Sequence, residues 1–489
     1  MFAFRPAERR TLLISIDFVI VELTTLLAFW IMAFRAGWAF NRAYLLDQLG
    51  WFIFLPALWF FSAFLSGFYN PNKLSDLPAA LWALARTVVF VVIVYLLIYF
   101  LSPTPSDLPR GIVAYQGTAS FVLIGLWRLA YVWLIHRPGF ARKVIVIGAG
   151  WAGQTIASAI KRYANAHYRV LGFVDDDPAK QPQIQNPKSK IQTTQRPNNL
   201  TTQSPNHLTT HLPILGKSCD LVRLVKSERV PEVILAVSHN ISSALFQALL
   251  ECKEQGVQIT LMPVLFEQLT GQVPIEHIGD NWNVALPLDS AEAGGLYPIA
   301  KRLFDITGAL IGLALYAIIF PFIALAIKLD SPGPLFYTQA RVGKGGKVFE
   351  LIKLRTMIQD AEPGGHAVRA QAGDARITRV GRWLRKARLD EMPQLINILK
   401  GDMSAVGPRP ERPEHLSELD QEIPFHRLRN AVKPGMAGWA VVNYDYVDNI
   451  EDAKIRLQYD LYYIKHQSLW LDLIILLRTM GHMIALRGR

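Results

Sequence analysis

Residues 143–157 read Lys-Val-Ile-Val-Ile-Gly-Ala-Gly-Trp-Ala-Gly-Gln-Thr-Ile-Ala. The apolar run predicts a buried strand, Gly148, Gly150 and Gly153 predict a tight turn, and the residues that follow have helical spacing. Such a turn lets the backbone approach a pyrophosphate, and the helix N-terminus behind it donates N–H groups. The stretch therefore predicts a Rossmann-like α/β fold. It leaves open whether the turn binds a nucleotide or serves packing alone.

Downstream of this turn, strand and helix patterns continue to alternate. A second strand over residues 168–174 ends at Asp175, about 20 residues beyond the glycines, where a ribose-binding acid is expected. Strand-like runs at 233–237 and 257–262 extend the α/β pattern, and we assign 141–290 to a Rossmann-like domain. Residues 181–213 are rich in Gln, Asn, Thr and Pro, and we expect a disordered loop inside this domain.

Upstream, four apolar segments between Leu12 and Ile135 predict a transmembrane four-helix bundle over residues 1–140. Segment 48–72 has no charge over 25 residues and segment 87–106 none over 20, so either can cross a bilayer core, which takes about 20 residues. A cleavable signal peptide is disfavoured for the first segment, because the stretch is long and acidic and lacks a small-residue cleavage pattern.

Charged residues inside and around these segments indicate how the helices are arranged. A charge in the middle of a bilayer costs roughly 3 kcal/mol, so we expect Asp17, Glu22 and Arg128 to face the bundle or an interface, and favour helix pairing over a relay. Cations flank both ends of the region: Arg5, Arg9, Arg10, Arg137, Arg142 and Lys143. The positive-inside rule then places both ends in the cytoplasm.

A second apolar feature, residues 306–327, is uncharged over 22 residues and contains Pro321. Lys301 and Arg302 precede it and Lys328 follows it, which favours cytoplasmic placement of both ends. We therefore expect a re-entrant helix that enters the membrane, breaks at Pro321 and returns. The alternative is a fifth full span, which would put the rest of the chain outside the cell.

Composition restricts the class of protein. Hydrophobic residues make up 51% of the 489 positions and charged residues only 18%, which argues against an ordinary soluble enzyme. The net charge of +12 favours anionic partners such as phospholipid headgroups, nucleotides or sugar phosphates. Two cysteines are too few for a disulfide framework.

Six cations and no anion lie between Arg376 and Arg388, a pattern that suits a helix on anionic headgroups or one that grips phosphate. A nucleic-acid reader is disfavoured, because these cations lie beside membrane-facing sequence. Directly behind them come Asp390 and Glu391, near the helix start that Pro393 marks. There we expect both carboxylates to be ionised, able to hold Mg²⁺ against a diphosphate and to attack phosphorus.

Several motifs in the last 190 or so residues are shared with one family. They are Lys301-Arg-Leu-Phe-Asp305, Ser331-Pro-Gly-Pro, Lys353-Leu-Arg355, Leu-Asp-Glu-Met-Pro-Gln at 389–394, Gly-Asp-Met-Ser-Ala-Val-Gly-Pro-Arg-Pro at 401–410 and Pro434-Gly-Met-Ala-Gly438. In these motifs the chain resembles the bacterial sugar transferases, the polyprenyl-phosphate hexose-1-phosphate transferases. The whole chain resembles their large members, with a re-entrant helix and a monotopic α/β catalytic domain over 296–489.

The resemblance implies transfer of a hexose-1-phosphate from a UDP-sugar to undecaprenyl phosphate with release of UMP, which starts an exopolysaccharide or O-antigen repeat unit. It implies that Asp390 is the nucleophile and Glu391 a Mg²⁺ ligand. The implied contacts to nucleotide or phosphate are Lys353, Arg355, Arg388 and Arg409, the last within the Pro408-Arg409-Pro410 turn. The implied location is the bacterial inner membrane, among membrane lipids, with a cytoplasmic catalytic domain. A homodimer stays open.

The sequence departs from the family pattern at two places: Phe320 precedes Pro321 where a serine is common, and Asn430 follows Arg429 where a histidine is common. The alternative function is a membrane-anchored, NAD-dependent UDP-sugar dehydratase or epimerase, whose chemistry needs a Tyr-x-x-x-Lys pair. Tyr297 and Lys301 match that spacing, but we interpret the match as chance, because it abuts the apolar feature far along the chain from the glycine turn.

Overall fold

The computed structural model describes residues 6–66, 68–69, 77–101, 111–135, 141–165, 167–177, 212–237, 241–275, 295–358, 361, 374–444 and 449–484. The chain divides into two compact units, Met1–Leu265 and Phe266–Arg489. Almost all of the loop predicted at 181–213 lies outside the described residues, as does the segment 276–294 that precedes the predicted C-terminal domain.

The first unit begins with helices that are mostly apolar. They are α1 (Pro6–Ala36), the short α2 (Arg42–Asp47), α3 (Leu49–Leu65), α4 (Leu77–Leu101) and α5 (Ile112–Ile135). Among the described residues four helices of the chain are long and apolar enough to cross a membrane, and three of them are α1, α4 and α5. The segment predicted at 48–72 is helical only to Leu65, so α3 spans about 26 Å at 1.5 Å per residue.

A buried ion pair joins α1 to α5. Arg128 lies 2.6 Å from Asp17, and neither side chain is exposed. The Tyr69 hydroxyl donates to the same carboxylate oxygen at 2.8 Å, and the guanidinium lies 4.5 Å from the centre of the Phe68 ring. For Asp17 and Arg128, the expectation that charges in these segments face the bundle and pair its helices is confirmed. Glu22, on α1, is half-buried, and pairing through it stays a prediction.

The α/β part of the first unit is a five-stranded sheet. Its strands are β1 (Arg142–Ile147), β2 (Tyr168–Val174), β3 (Ile214–Gly216), β4 (Glu232–Leu235) and β5 (Gln258–Leu261), alternating with helices α6 (Trp151–Tyr163), α7 (Leu221–Glu228) and α8 (Ser243–Glu254). The strand order is β3-β2-β1-β4-β5 and every pairing is parallel. This is the doubly wound order of the nucleotide-binding fold, so the predicted Rossmann-like α/β class is confirmed.

Helix α9 (Met262–Thr270) leads into the second unit. The other elements there are α10 (Tyr297–Asp330), β6 (Phe336–Val342), β7 (Val348–Leu354), α11 (Arg379–Lys386), α12 (Gln394–Lys400), β8 (Ser404–Val406), α13 (Pro413–Glu422), β9 (Gly435–Ala437), α14 (Trp439–Asn443), α15 (Ile450–Lys465) and α16 (Leu469–Ile484). Strands β6 and β7 form an antiparallel hairpin, and β8 pairs with β9 in parallel.

Helix α10 contains 34 residues and continues through Pro321, so the predicted break at this proline is not present. Proline removes one backbone hydrogen bond, but packing on both sides of it offsets that loss. Tyr316 before it and Ile327 after it lie in one buried cluster with Leu354 of β7 and Leu384 of α11. The re-entrant path of this helix through a membrane stays a prediction.

Along α10 one face packs on the second unit and the other is apolar and exposed. Near the N-terminus Asp305 and Ala309 are buried, and at the far end Asp330 accepts a hydrogen bond from the Val380 backbone at 2.9 Å. The exposed face carries Leu303, Leu310, Ile311, Leu315, Ile318, Phe322, Leu325 and Leu329. Both ends of this long apolar helix are therefore bound to the same unit.

The ion pair in the N-terminal bundle gives a first prediction. Changing Asp17→Asn leaves the Arg128 charge buried without its partner, which we expect to cost about 3 kcal/mol, whereas D17N/R128M should recover most of that loss. Thermal unfolding of the purified chain in detergent measures this. The control is Lys143→Met, which breaks the exposed pair with Glu228 and should cost less than about 1 kcal/mol. Equal losses in D17N and K143M would contradict the expectation.

Candidate active site

Asp390 and Glu391 lie on one 3₁₀ turn, Leu389–Glu391, between α11 and α12. Arg388 begins this turn with φ of 53°, in the left-handed region that a residue with a Cβ rarely adopts. The bend redirects the chain at the end of the basic helix, and both carboxyl groups point into the protein. Asp390 is 8% exposed and Glu391 7%.

Two cations hold Glu391. Its Oε1 accepts hydrogen bonds from the Arg409 guanidinium at 2.5 Å and from the Lys353 ammonium at 3.3 Å. Burial alone would raise the pKa of Glu391, but the charges of Arg409 and Lys353 hold that pKa well below its usual range. Glu391 is therefore a fixed negative charge at neutral pH, as its position beside the cations predicted.

Asp390 is in a different electrostatic state. Within the part of the chain that the structure describes, its carboxylate has no hydrogen-bond partner, although Lys353, Arg385 and Arg409 act on its charge. Burial raises the pKa of Asp390, and repulsion from Glu391 raises it further. This direction is opposite to the expectation that the surroundings favour ionisation of both carboxylates. Asp390 is thus the carboxylate that is left free to meet a ligand.

The turn Pro408-Arg409-Pro410, which carries the arginine bound to Glu391, is held through all three of its carbonyl groups. The carbonyl of Pro408 accepts from the Gly435 backbone at 2.9 Å, that of Arg409 from the Arg429 side chain at 3.0 Å, and that of Pro410 from the Arg341 side chain at 3.0 Å. Sequence reasoning assigned no site role to Arg341 or Arg429, because neither spacing nor motif showed that they meet this turn.

A buried charge network lies behind this turn. The Oε1 of Glu411 accepts from Arg429 at 2.9 Å and from Arg456 at 3.1 Å, and Arg429 also donates to Asp460 at 2.8 Å. Glu411, Arg429 and Arg456 line a cavity of about 100 Å³ together with His426, whose ring nitrogen lies 3.5 Å from Arg429. A histidine thus contacts Arg429 here, although it is not the next residue, where the resembled family often has one.

The remaining predicted cations divide between two places. Arg388 lies on the carboxylate turn, where its charge helps to lower the pKa of Glu391. Arg355 instead donates to the backbone carbonyls of Ser331, at 2.7 Å, and Pro332. Arg355 therefore supports the Ser331-Pro-Gly-Pro turn, whereas Lys353, two residues earlier on β7, reaches Glu391.

The donor set for a divalent metal ion consists of two carboxylates. No group of three or more His, Cys, Asp or Glu side chains that could hold a metal occurs in the described segments. Among the residues that the structure describes, only Oε1 of the Glu391 carboxylate has hydrogen-bond partners, and the carboxylate of Asp390 has none. Two carboxylates fit Mg²⁺ when substrate phosphates and water complete its octahedral shell.

In the first unit the glycine turn at residues 148–153 packs tightly against its own backbone. Gly148 has φ of +98°, and a Cβ on Gly153 would lie 1.9 Å from the Gly148 carbonyl oxygen, so both positions require glycine. Gly150 is the N-cap of α6. The carboxylate of Asp175 accepts a hydrogen bond from the Ala149 backbone at 2.7 Å. The predicted residues come together, and a bound nucleotide stays a prediction.

Tyr297 and Lys301, the candidate pair of the alternative dehydratase function, both contact Asp472 of α16. The Lys301 ammonium lies 2.8 Å from this carboxylate and the Tyr297 hydroxyl 3.4 Å. Within the second unit, the two side chains attach α10 to α16. This placement favours the interpretation of the Tyr-x-x-x-Lys spacing as chance.

The parallel sheet and the long apolar helices define a membrane-associated α/β protein, and its two adjacent buried carboxylates lie among cations. The family described as bacterial sugar transferase matches residues 296–486, and one described as CoA-binding domain matches residues 64–263. The chain belongs to the bacterial sugar transferase family.

Curated relatives support this membership. A UDP-N-acetylgalactosamine-undecaprenyl-phosphate N-acetylgalactosaminephosphotransferase of Aeromonas hydrophila is 42% identical over 47% of this chain and 53% of its own length. A UDP-glucose:undecaprenyl-phosphate glucose-1-phosphate transferase of Xanthomonas campestris pv. campestris is 35% identical over 55% and 56%, and one of Escherichia coli K12 is 30% identical over 72% and 70%. The chain thus spans about half the length of the first two relatives.

The network behind the Pro408–Pro410 turn gives a second prediction. Arg456 and Arg429 hold the pKa of Glu411 far below its usual 4.5, although burial opposes them. The ionised carboxylate of Glu411 therefore contributes its full stabilisation to the fold above pH 4.5. This contribution to the free energy of unfolding declines as the pH falls toward the pKa of Glu411 in the folded state. We expect Glu411→Gln to cost roughly 3 kcal/mol at neutral pH, and the difference from the native chain to narrow below pH 4.5.

Thermal unfolding in detergent, followed by tryptophan fluorescence at neutral and at acid pH, measures this difference. The matched control is Glu451→Gln, because Glu451 forms an exposed ion pair with Lys454 and should give a small loss at either pH. A difference between E411Q and the native chain that stays constant as the pH falls would show that the Glu411 charge does not stabilise the fold.

Proposed function

We propose that this protein transfers a hexose-1-phosphate from a UDP-sugar to undecaprenyl phosphate and releases UMP. The product, an undecaprenyl-diphospho-sugar, starts an exopolysaccharide or O-antigen repeat unit. Relatives whose names specify undecaprenyl-phosphate sugar-1-phosphate transfer support the reaction class. Their names differ in the sugar, glucose in some and N-acetylgalactosamine in another, so both donors are candidates.

The transfer takes place in two displacements at one phosphorus atom. A carboxylate oxygen of Asp390 attacks the phosphorus bonded to the sugar, the bond to the bridging oxygen breaks, and UMP leaves with that oxygen. A phosphate oxygen of undecaprenyl phosphate then attacks the same phosphorus, and the bond to Asp390 breaks, which restores the free carboxylate. One nucleophile can serve a soluble donor and a lipid acceptor in turn in this way.

The observation that carries this proposal is the contrast between the two adjacent carboxylates. Glu391 is bound by Arg409 and Lys353, whereas Asp390 is buried among the same cations without a hydrogen-bond partner in the described chain. A diphosphate that approaches these cations brings its phosphorus next to Asp390. The phosphate and the carboxylate repel each other, and the cations lower this repulsion and stabilise the charge that develops on phosphate.

The other site residues have supporting roles in this proposal. Lys353, Arg388 and Arg409 contact the phosphates, and the fixed carbonyls of Pro408 and Pro410 keep Arg409 in place. Glu391 would hold Mg²⁺, which would supply positive charge to the diphosphate when it is bound. Arg355 does not contact the phosphates in this proposal; it supports the turn that begins at Ser331.

We further propose that the site lies at the cytoplasmic face of the bacterial inner membrane. Helix α10 is bound to the second unit at both of its ends, so a full span would draw the charged surface of that unit into the bilayer. Its exposed apolar face suits the acyl region of one leaflet. The phosphate of a membrane lipid can then be met at the interface without leaving the membrane.

Replacing Asp390 by Asn tests the proposed nucleophile. Membranes that contain the native chain should release UMP from UDP-glucose or UDP-N-acetylgalactosamine when undecaprenyl phosphate is present. D390N should lose this activity by at least about 1,000-fold, because the amide cannot form the phosphosugar bond. Incubation with sugar-labelled donor alone, followed by denaturation and peptide mapping, should place the label on residue 390 of the native chain.

Glu414→Gln is the matched control, since Glu414 is an exposed carboxylate on α13 of the same unit and its change should leave UMP release intact. Retention of activity by D390N would rule out the covalent route through this residue. Failure of the native chain to release UMP from any donor would rule out the function itself.

A further inference from the structure

Three charged residues in the first turns of α10 are bound into the second unit. Lys301 forms an ion pair with Asp472 at 2.8 Å, and Arg302 donates to the carbonyls of Ile398 and Leu399 at 2.6 and 2.8 Å. The carboxylate of Asp305 accepts from the Ser404 hydroxyl and the Ala405 backbone, each at 3.0 Å. The helix that faces the lipid is thus attached by charge at one end.

Asp472 of α16 is the centre of this attachment. Its side chain is fully buried, and that of Lys301 is 14% exposed. The Tyr463 hydroxyl lies 2.8 Å from its other carboxylate oxygen. Burial raises the pKa of Asp472, and the Lys301 charge opposes that rise. A buried carboxylate of this kind depends on its cation, so the ion pair fixes the distance between α10 and α16.

The residues around Asp472 also contact the strand that precedes the Pro408–Pro410 turn. The hydroxyl of Tyr463 also lies 3.0 Å from the carbonyl of Val406, the last residue of β8, while Asp305 contacts the first two residues of that strand. Gly407 separates β8 from the Pro408–Pro410 turn, and Arg409 of this turn contacts Glu391. Strand β8 therefore links the membrane-facing helix to the site.

We propose that Lys301 is a positioning residue for the lipid acceptor: its ion pair with Asp472 sets the depth at which α10 presents membrane-bound phosphate to the site. The inference rests on the proposed function. A soluble UDP-sugar enters from water, so its delivery does not depend on the depth of α10, whereas the lipid phosphate is delivered at a height that α10 determines. The contacts of Asp305 with β8 do not involve Lys301. A shift of about 1 Å between reacting groups can cost up to about 100-fold in rate.

Steady-state kinetics of the full chain in nanodiscs test this inference. In a two-step transfer, kcat/KM for each substrate reports the half-reaction that uses it. Lys301→Met should lower kcat/KM for undecaprenyl phosphate by about 10- to 100-fold and leave kcat/KM for the UDP-sugar nearly unchanged. Lys301→Arg, which keeps the ion pair, should restore the lipid value. Lys454→Met is the control, because it breaks an exposed pair with Glu451 and should change neither value.

Equal losses for both substrates would overturn the inference, since they would mean that Lys301 supports folding alone. An unchanged lipid value in K301M would overturn it as well. If K301M does not fold, Asp472→Asn removes the charge but can still bond to Tyr463, and the same split between the two substrates is required. A native chain that releases no UMP would instead disprove the proposed function, and the inference with it.

Discussion

The ion pair between Arg409 and Glu391 is the interaction on which the C-terminal site depends. It joins the turn after α11 to the turn after β8, and with Lys353 it fixes one of two adjacent buried carboxylates as an anion. Two neighbouring carboxylates in a buried site do not both ionise readily. Burial raises the pKa of Asp390, and because the cations keep Glu391 ionised, repulsion from that anion raises it further. The two adjacent acids thus differ through their neighbours.

Helix α10 has its charged contacts on one side and its apolar surface on the other. Its charged contacts at the N-terminal end point into the second unit, where Lys301 and Asp305 have partners, and its outward face is hydrocarbon over most of 34 residues. A helix with this division is stable where protein covers one side and lipid covers the other. The charged groups at the N-terminal end of α10 have their partners within the second unit, so under the proposed function the depth of the helix in the membrane would follow from that unit.

Features set by local geometry could be predicted from the sequence. The glycines at 148 and 153 are required by backbone approach within one strand–turn–helix unit, and the pattern therefore predicted the Rossmann-like α/β fold. Charges in apolar segments must find partners, which predicted that Asp17 and Arg128 take part in helix pairing, and the structure shows them paired with each other. Continuity of α10 through Pro321 depends on packing against residues far along the chain, and no local signal reports it.

The arginines show why the rest of the site could not be predicted. The sequence shows that a residue is arginine but not whether its guanidinium binds a substrate or a backbone carbonyl group. Arg355 stands in a motif with Lys353, yet it binds the backbone near Ser331. Arg341 and Arg429, from a strand and a turn elsewhere, bind the carbonyls of the Pro408–Pro410 turn. Since Arg341 and Arg429 hold backbone carbonyls, the turn is fixed before any ligand arrives, and under the proposed function Arg409 would need little reorganisation to stabilise charge that develops on phosphate.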